Sequence, residues 1–216
     1  MWKIFHIMRC LPKTLYFNFR VFKLKDAIKL KIIIHPHIKF GQLHKGCINP
    51  PNSRIQFGYK GSVHIPRNIY GMISFDKSAK IVFKGKATFG EASVINVNHG
   101  YLEFGNNFVC NKNVNISCSN KIVFDDNVLV GWNTLIRDTD GHNLFENGIL
   151  CKNSKPVHIG KHVWLCAYTH ILKGVTIGDG SIVAMDSIVT KPFTQSNLLI
   201  GGYPAKVIKE NYTWKE

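Results

Sequence analysis

The chain has 216 residues, of which 45% are hydrophobic, and its 28 lysines and arginines outnumber its 13 acids, giving a formal net charge of +15. A chain of this length can bury a continuous core. No segment approaches the roughly 18 apolar residues of a membrane-spanning helix. No zinc-finger or RNA-binding signature accompanies the charge, so we expect no nucleic-acid partner.

Residues 1–50 form the first predicted unit, a basic and aromatic cap. The first 45 residues hold ten lysines and arginines and one acid, Asp26, with aliphatic and aromatic residues between the charges. In the favoured interpretation the apolar side covers the end of the core while the lysines stay in water. In the second, an amphipathic segment rests on anionic headgroups at the inner face of a membrane, and the two can hold together.

Residues 51–202 form the main predicted domain, because aliphatic residues recur there at every sixth position. A period of six fits neither a helix nor simple strand alternation, and it is typical of a parallel β-helix, in which one short unit repeats and stacks. The regular positions are Ile159, Leu165, Ile171, Ile177, Val183 and Val189.

Three such hexads make one triangular coil, so each inward position should recur after 18 residues plus any insertion. The steps in the first predicted column are 21, 20, 35 and 18 residues. The first column is Phe83, Phe104, Phe124, Ile159 and Ile177; the second is Phe89, Cys110, Val130, Leu165 and Val183; the third is Ile95, Ile116, Ile136, Ile171 and Val189. A looser coil through Phe57, Val63 and Ile73 is predicted to precede them.

The corners between hexads are predicted to be tight. Residues four positions after a column residue are mostly small or β-branched, and glycine often follows a column residue directly, where a Cβ atom would clash. The corner residues are Ala87, Ser93, Val114, Thr134, Thr169, Val175, Ser181 and Ser187.

One break in this regularity is much larger than the others. The step of 35 residues contains an insertion of 17, residues 142–158, which begins at His142 directly after Asp138-Thr139-Asp140-Gly141. Long insertions in a protein with otherwise short turns are usually functional. The chemistry is therefore predicted here.

Residues 203–216 are predicted to be a short C-terminal extension, helical from Pro204 onward, because proline is tolerated in the first turn of a helix. The cysteines form neither a CxxC pair nor a regular framework, which is typical of a reduced, cytoplasmic protein. They are Cys10, Cys47, Cys110, Cys118, Cys151 and Cys166.

The stretch from Asp138 to Lys209 resembles the hexapeptide-repeat acyltransferases, in the order DTDGH, KPVHIGKHVWLCAYTHILKGVTIGDGSIVAMDSIVTKPF and GGYPAKVIK. It is most similar to the bacterial O-acetyltransferases of sugars and surface polysaccharides. The segments LYFNFR and KDAIKL resemble the front end of capsule-type members. The resemblance implies an all-β, left-handed parallel β-helix, a homotrimer with active sites between subunits, and acetyl-CoA as donor.

His142 matches the general base of this family. An alcohol is a poor nucleophile until its proton is removed, and a histidine, with an ordinary pKa of about 6.5, suits that task near neutral pH. Asp138 and Asp140 are predicted to hold the imidazole and to stabilise its charged form.

Donor and acceptor residues follow from the same resemblance. Ala167 and Ala184 match positions where the donor approaches the backbone closely, and Lys191 and Lys206 resemble the cations that meet its phosphates. Cys166 and Tyr168 depart from the small residues usual in the family. The predicted acceptor residues are Asn115, His170 and Trp132.

Other histidines leave a metal site as a weaker alternative. His158, His162 and His170 are close in sequence, and the γ-class carbonic anhydrases, which share this fold, bind metal through histidines on neighbouring coils. Their ligand pair is five residues apart, whereas His158 and His162 are four apart. We therefore expect no metal.

The sequence predicts an acetyl-CoA-dependent O-acetyltransferase that acts on a saccharide hydroxyl. An amino-sugar N-acyltransferase would use the same base and stays open as the first alternative. A non-catalytic β-helix scaffold is the second alternative, and the histidine in the loop argues against it.

Overall fold

The structure is a computed structural model that describes residues 2–59 and 69–215, with side chains from residue 8 onward. Helices α1 (Trp2–Val21) and α2 (Leu24–Ala27) come first. The strands are β1 (Ile32–Ile34), β2 (Ile38–Phe40), β3 (Ile55–Tyr59), β4 (Gly71–Phe75), β5 (Lys80–Phe83), β6 (Ala87–Gly90), β7 (Val94–Val97), β8 (Tyr101–Phe104), β9 (Phe108–Cys110), β10 (Asn115–Cys118), β11 (Lys121–Phe124), β12 (Leu129–Val130), β13 (Leu135–Arg137), β14 (Phe145–Glu146), β15 (Ile149–Leu150), β16 (Val157–Ile159), β17 (Trp164–Leu165), β18 (His170–Ile171), β19 (Thr176–Ile177), β20 (Ile182–Val183), β21 (Ile188–Val189), β22 (Leu199–Gly202) and β23 (Ala205–Lys209).

The strands form three sheets that run side by side along the stack. Sheet A has the order β1-β3-β6-β9-β12-β17-β20-β22-β23, sheet B the order β2-β4-β7-β10-β13-β18-β21, and sheet C the order β5-β8-β11-β16-β19. Every pair is parallel except β22 with β23 in sheet A and the separate hairpin of β14 with β15. The predicted fold class, an all-β left-handed parallel β-helix, is confirmed.

The three predicted columns are confirmed residue by residue. In sheet C, Phe83 pairs with Phe104, Phe104 with Phe124, and the series continues to Ile159 and Ile177. The columns of Phe89 and Ile95 follow the same registers in sheets A and B. All fifteen residues are buried, because in each strand every second side chain points into the prism. Val63 lies outside the described residues.

Stacked aromatic rings fill the part of the core between Phe57 and Phe124. The rings of Phe83 and Phe104 lie 5.2 Å apart, and those of Phe104 and Phe124 lie 5.4 Å apart, each pair nearly parallel. Phe89 meets Phe104 edge to face at 5.0 Å. These are the geometries that aromatic pairs prefer, so the rings add specific contacts to the burial of apolar area.

The corners are as tight as predicted. The eight small or β-branched corner residues are all buried. At Gly131 an added Cβ atom would lie 2.4 Å from the backbone nitrogen of Ala167 on the next coil. Glycine is required there because two backbones touch, with no room for a side chain.

The N-terminal segment covers one end of the stack. On α1, Thr14 accepts a hydrogen bond from the backbone nitrogen of Ile34 at 3.0 Å, and Asn18 donates to the carbonyl of Ile32 at 2.7 Å. These side chains satisfy backbone groups at the edge of β1 that no described strand pairs. The sheets begin before residue 50, where the sequence placed the end of the cap, because β1 and β2 already belong to sheets A and B.

The C-terminal extension is a strand, not the predicted helix. After β22 the chain reverses at Gly202, whose φ is +105°, and β23 pairs antiparallel with β22. The edge of sheet A attracts the extension because it offers unpaired backbone groups. Beyond β23, Trp214 is buried and its ring stacks on His162 at 4.3 Å.

None of the helices in the described ranges combines the length and the hydrophobicity needed to cross a bilayer.

The Phe104 ring should carry much of the core stability. We expect Phe104→Ala to lower the free energy of unfolding by about 3–5 kcal/mol, because a fully buried ring is lost and a cavity remains. Tyr203→Ala, at a side chain 80% exposed, serves as the control and should change it by less than about 0.5 kcal/mol. Denaturant unfolding at a fixed protein concentration measures both, and equal effects would contradict this account.

Candidate functional site

His142 lies in a loop that leaves the prism after strand β13 of sheet B. The loop carries the hairpin of β14 and β15, in which Phe145 pairs with Leu150. Residues 141–150 are all exposed, and no described residue hydrogen-bonds to the His142 ring. Gly141, with a φ of +84°, turns the chain directly before the histidine. The predicted base is therefore accessible.

Asp138 has a structural partner that the sequence did not reveal. Its carboxylate is fully buried and accepts hydrogen bonds from the backbone nitrogens of Ser119 and Asn120, each at 2.8 Å. Burial, reinforced by the nearby Asp138 carboxylate, raises the pKa of the Cys118 thiol. Asp138 was predicted to orient His142; in this structure its carboxylate instead caps a turn of the preceding coil.

Asp140 is also engaged elsewhere. Its carboxylate forms an ion pair with Lys173, whose ammonium group also donates to the carbonyl of Lys152 at 3.0 Å. The backbone nitrogen of Asp140 donates to Asn153 at 2.8 Å. Asp140, also predicted to hold the imidazole, ties the start of the loop to its end and to the next coil in this structure.

Arg137 is a residue at the site that the sequence analysis missed. Its Nε donates to the carbonyl of Thr139 at 2.7 Å, and a Cβ atom added to Gly141 would lie 3.2 Å from its Nη2. The guanidinium therefore packs against the turn that presents His142. Lys173 was missed as well, although the pairing of Ile136 with Ile171 puts it beside Asp138 one coil further on.

The predicted acceptor residues divide between two places. In sheet B, Asn115 pairs with Leu135 and Leu135 pairs with His170, so Asn115 and His170 lie on the outer face of the sheet that leads into the loop. Trp132 lies at the corner before β13, at the other end of that strand, where its carbonyl accepts from Tyr168 at 2.9 Å. The structure brings Asn115 and His170 near the start of the loop and leaves Trp132 at the opposite corner.

The predicted donor residues lie on neighbouring coils towards the C-terminal end. Ala167 is buried, and its backbone nitrogen packs against Gly131. Ala184 lies one coil further on, at the same corner. Lys191 and Lys206 are exposed cations, after β21 and on β23. The corner that contains Ala167 and Ala184 therefore carries small residues, and the two lysines, Lys191 and Lys206, lie at the C-terminal end of the stack.

The other histidines and Cys166 have ordinary surroundings. His158 contacts the Asp125 carboxylate at 2.9 Å, and His162 contacts the Trp214 carbonyl at 3.1 Å. Within the ranges that the structure describes, no three His, Cys, Asp or Glu side chains are grouped to hold a metal ion. Burial raises the pKa of the Cys166 thiol to about 11, so little thiolate is present at neutral pH.

The Asp140–Lys173 ion pair should restrain the exposed loop. We expect Asp140→Asn and Lys173→Met each to speed amide hydrogen exchange in residues 139–153 severalfold, because the two ends of the loop separate more easily. The double variant should add little to either single variant, since one interaction is lost in all three. Lys161→Met is the control, and exchange no faster than in that control would show that the pair does not restrain the loop.

Comparison with known proteins relates this geometry to a family. Residues 156–191 match the family described as bacterial transferase hexapeptide (six repeats). The galactoside O-acetyltransferase of Escherichia coli is 37% identical over 112 residues, 50% of this chain and 54% of that protein, so the chain spans about half the length of this curated relative. The crystal structure of the polySia-specific acetyltransferase NeuO shares the fold, with a TM-score of 0.52 and 19% identity over 86% of this chain and 85% of that chain. The resemblance predicted from the sequence is thus confirmed, and it relates this β-helix to the hexapeptide-repeat acyltransferases.

Proposed function

We propose that the protein is an acetyl-CoA-dependent O-acetyltransferase that acts on a hydroxyl group of a saccharide, with His142 as the general base. The observation that carries this proposal is the presentation of His142. A long loop leaves the solenoid after β13, its ends are fixed by contacts with neighbouring coils, and the imidazole is exposed directly after the restrained turn.

Each residue of the turn contributes to this presentation. Asp138 fixes the start of the loop in the preceding coil, and the ion pair of Asp140 with Lys173 fixes it to the following coil. Arg137 holds the carbonyl of Thr139. Such restraints reduce the freedom that a base must lose before it meets a substrate.

In the proposed reaction, a ring nitrogen of His142 removes the proton of the acceptor hydroxyl as its oxygen bonds to the acetyl carbon. The carbon–sulfur bond of the donor breaks, and the proton passes from the imidazolium to the leaving sulfur. Acetyl-CoA supplies the acetyl group in activated thioester form. A general base of this kind typically contributes about 10²–10⁴-fold to the rate.

The donor is expected along the corner that contains Gly131, Cys166, Ala184 and Gly201. Cys166 and Ala184 are partly exposed in this row and present small side chains to a ligand, whereas Gly201 is covered by Ile208, whose Cδ1 would lie 2.6 Å from an added Cβ atom. Lys191 and Lys206, at the end of the stack, would meet the phosphates as exposed point charges. Ala167, whose methyl group is buried, would contribute only through its backbone.

The Escherichia coli relative is named a galactoside O-acetyltransferase. Its name supports two parts of the proposal: the acceptor is a saccharide, and the acetyl group is transferred to an oxygen atom. Asn115 and His170 are the proposed acceptor contacts, because their face of sheet B leads into the His142 loop. Trp132 is less suited to that role, since it lies at the far corner. The proposed location is the cytoplasm.

A homotrimer with active sites between subunits is part of the proposal. Its support is the hairpin beside His142, whose apolar side chains face solvent in the single chain. The exposed fractions are 50% for Leu144, 66% for Phe145, 73% for Ile149 and 57% for Leu150. Four large apolar side chains in one hairpin are more than an isolated surface normally shows, and a second copy of the chain would cover them.

The base assignment is tested by His142→Ala. We expect kcat/KM for acetyl transfer from acetyl-CoA to a galactoside to fall about 10²–10⁴-fold, with thermal stability unchanged because the side chain is exposed. His158→Ala removes a histidine that is exposed on sheet C and should retain activity. Near-normal transfer by the His142 variant would refute the assignment. Transfer to an amino sugar in preference to the galactoside would favour the N-acyltransferase.

The assembly is tested at the hairpin. Phe145→Asp combined with Ile149→Asp should convert trimers into monomers and abolish transfer, because charges would enter a buried contact. Sedimentation equilibrium measures the assembly state. A matched pair of changes at exposed sites elsewhere, Tyr203→Asp and Ile208→Asp, should leave it unchanged. A hairpin variant that remains trimeric would rule out this contact.

A further inference from the structure

The positive charge of the protein is concentrated in the first third of the sequence. Residues 1–75 contain 13 of the 28 lysines and arginines and one of the 13 acids. The described part of this segment, residues 2–59 and 69–75, supplies α1, α2 and the first strands of sheets A and B, at the N-terminal end of the stack. The remaining residues hold nearly equal numbers of basic and acidic side chains, 15 and 12.

Helix α1 has a fixed inner side. Phe17 and Val21 are fully buried in the core cluster, while Thr14 and Asn18 bond to β1. Because both apolar packing and hydrogen bonds hold it, the helix presents one defined surface to the outside.

The outer surface of α1 also carries apolar side chains, although the inner side by itself already covers the end of the stack. Met8, Leu11, Leu15 and Phe19 follow one another at helical spacing and are 64%, 43%, 38% and 44% exposed. Leu24 and Ile28, in and after α2, are 68% and 62% exposed. We call these six residues the N-terminal apolar surface.

Exposed basic side chains accompany this surface. Arg9 and Arg20 lie on α1, and Lys23 and Lys25 lie at the start of α2, all of them exposed. The one acid of the segment, Asp26, is paired with Lys29 at 2.7 Å. Apolar side chains with cations around them, on a helix too polar to cross a bilayer, match the chemistry of the lipid–water interface.

We propose that the N-terminal apolar surface docks on a bilayer of anionic phospholipids, with the apolar side chains among the acyl chains and the cations at the headgroup phosphates. A second copy of the chain fits less well, because it would bring the same positive charges face to face. Nucleic acid would use the cations but leave the apolar side chains in water.

Docking at this end leaves the candidate site open. The His142 loop follows β13, the fifth strand of sheet B from the N-terminal end. With strands about 4.8 Å apart, the loop lies roughly 20 Å along the stack from β2. The docking proposal therefore does not depend on the proposed reaction, and variants of this surface should still transfer acetyl groups in solution.

The test is co-sedimentation of the full chain with vesicles of phosphatidylglycerol and phosphatidylcholine, compared with vesicles of phosphatidylcholine alone. We expect binding to the anionic vesicles that weakens with added salt, and at least about tenfold weaker binding to the neutral ones. Equal binding to both would overturn the proposal.

Two double variants separate the contribution of the apolar side chains to vesicle binding from that of the cations. Leu15→Asp with Phe19→Asp, and Lys23→Glu with Lys25→Glu, should each lower the partition coefficient at least about tenfold. Lys161→Glu with Lys215→Glu makes the same change in charge at exposed sites elsewhere and should have a much smaller effect.

Circular dichroism must show that each variant is folded like the wild type. If the apolar variant bound vesicles as the wild type does, the proposal would be wrong. If it instead reduced self-association in the absence of lipid, the surface would be a contact between copies of the chain.

Discussion

The stacking of parallel coils is the constraint on which the rest of the structure depends. Each strand inside the stack pairs with equivalent strands of the preceding and following coils, so an inward residue must lie over its counterpart at every step. Phe104 illustrates this, since its ring lies between those of Phe83 and Phe124. Extra residues within a strand would shift the column of inward side chains. Insertions therefore occur at the corners, where they form loops outside the stack. Among the residues that the structure describes, the loop with His142 is the largest such departure.

The same stacking explains why the candidate site is preorganised. The loop begins on one coil, but its restraints come from the coils on both sides. Asp138 bonds to backbone groups of the preceding coil, and Asp140 pairs with Lys173 on the following one. The two carboxylates, of Asp138 and Asp140, therefore hold the loop in place together with the cations of Arg137 and Lys173. His142 is left exposed with no hydrogen bond to any described residue.

The ends of a solenoid face a different problem, because their strands have unpaired edges. At the N-terminal end, Thr14 and Asn18 of α1 bond to β1, and at the C-terminal end β23 pairs with β22. The C-terminal cap is a continuation of the sheet. The N-terminal cap is a helix, which has an outward surface as well as an inward one. The N-terminal end therefore exposes apolar side chains with basic side chains beside them, and the C-terminal end does not need such a surface.

The sequence by itself determined the coil architecture. A column residue, its small corner neighbour and the position of an insertion are all set by spacing along the chain, and burial of apolar side chains enforces that spacing. His142 could be identified for the same reason, since it begins the break. Only the tertiary structure decided the partners of Asp138 and Asp140, because the atoms they bond lie 18 to 33 residues away in sequence. It also decided that residues 205–209 form a strand, because the open edge of β22 exists only once the stack has formed.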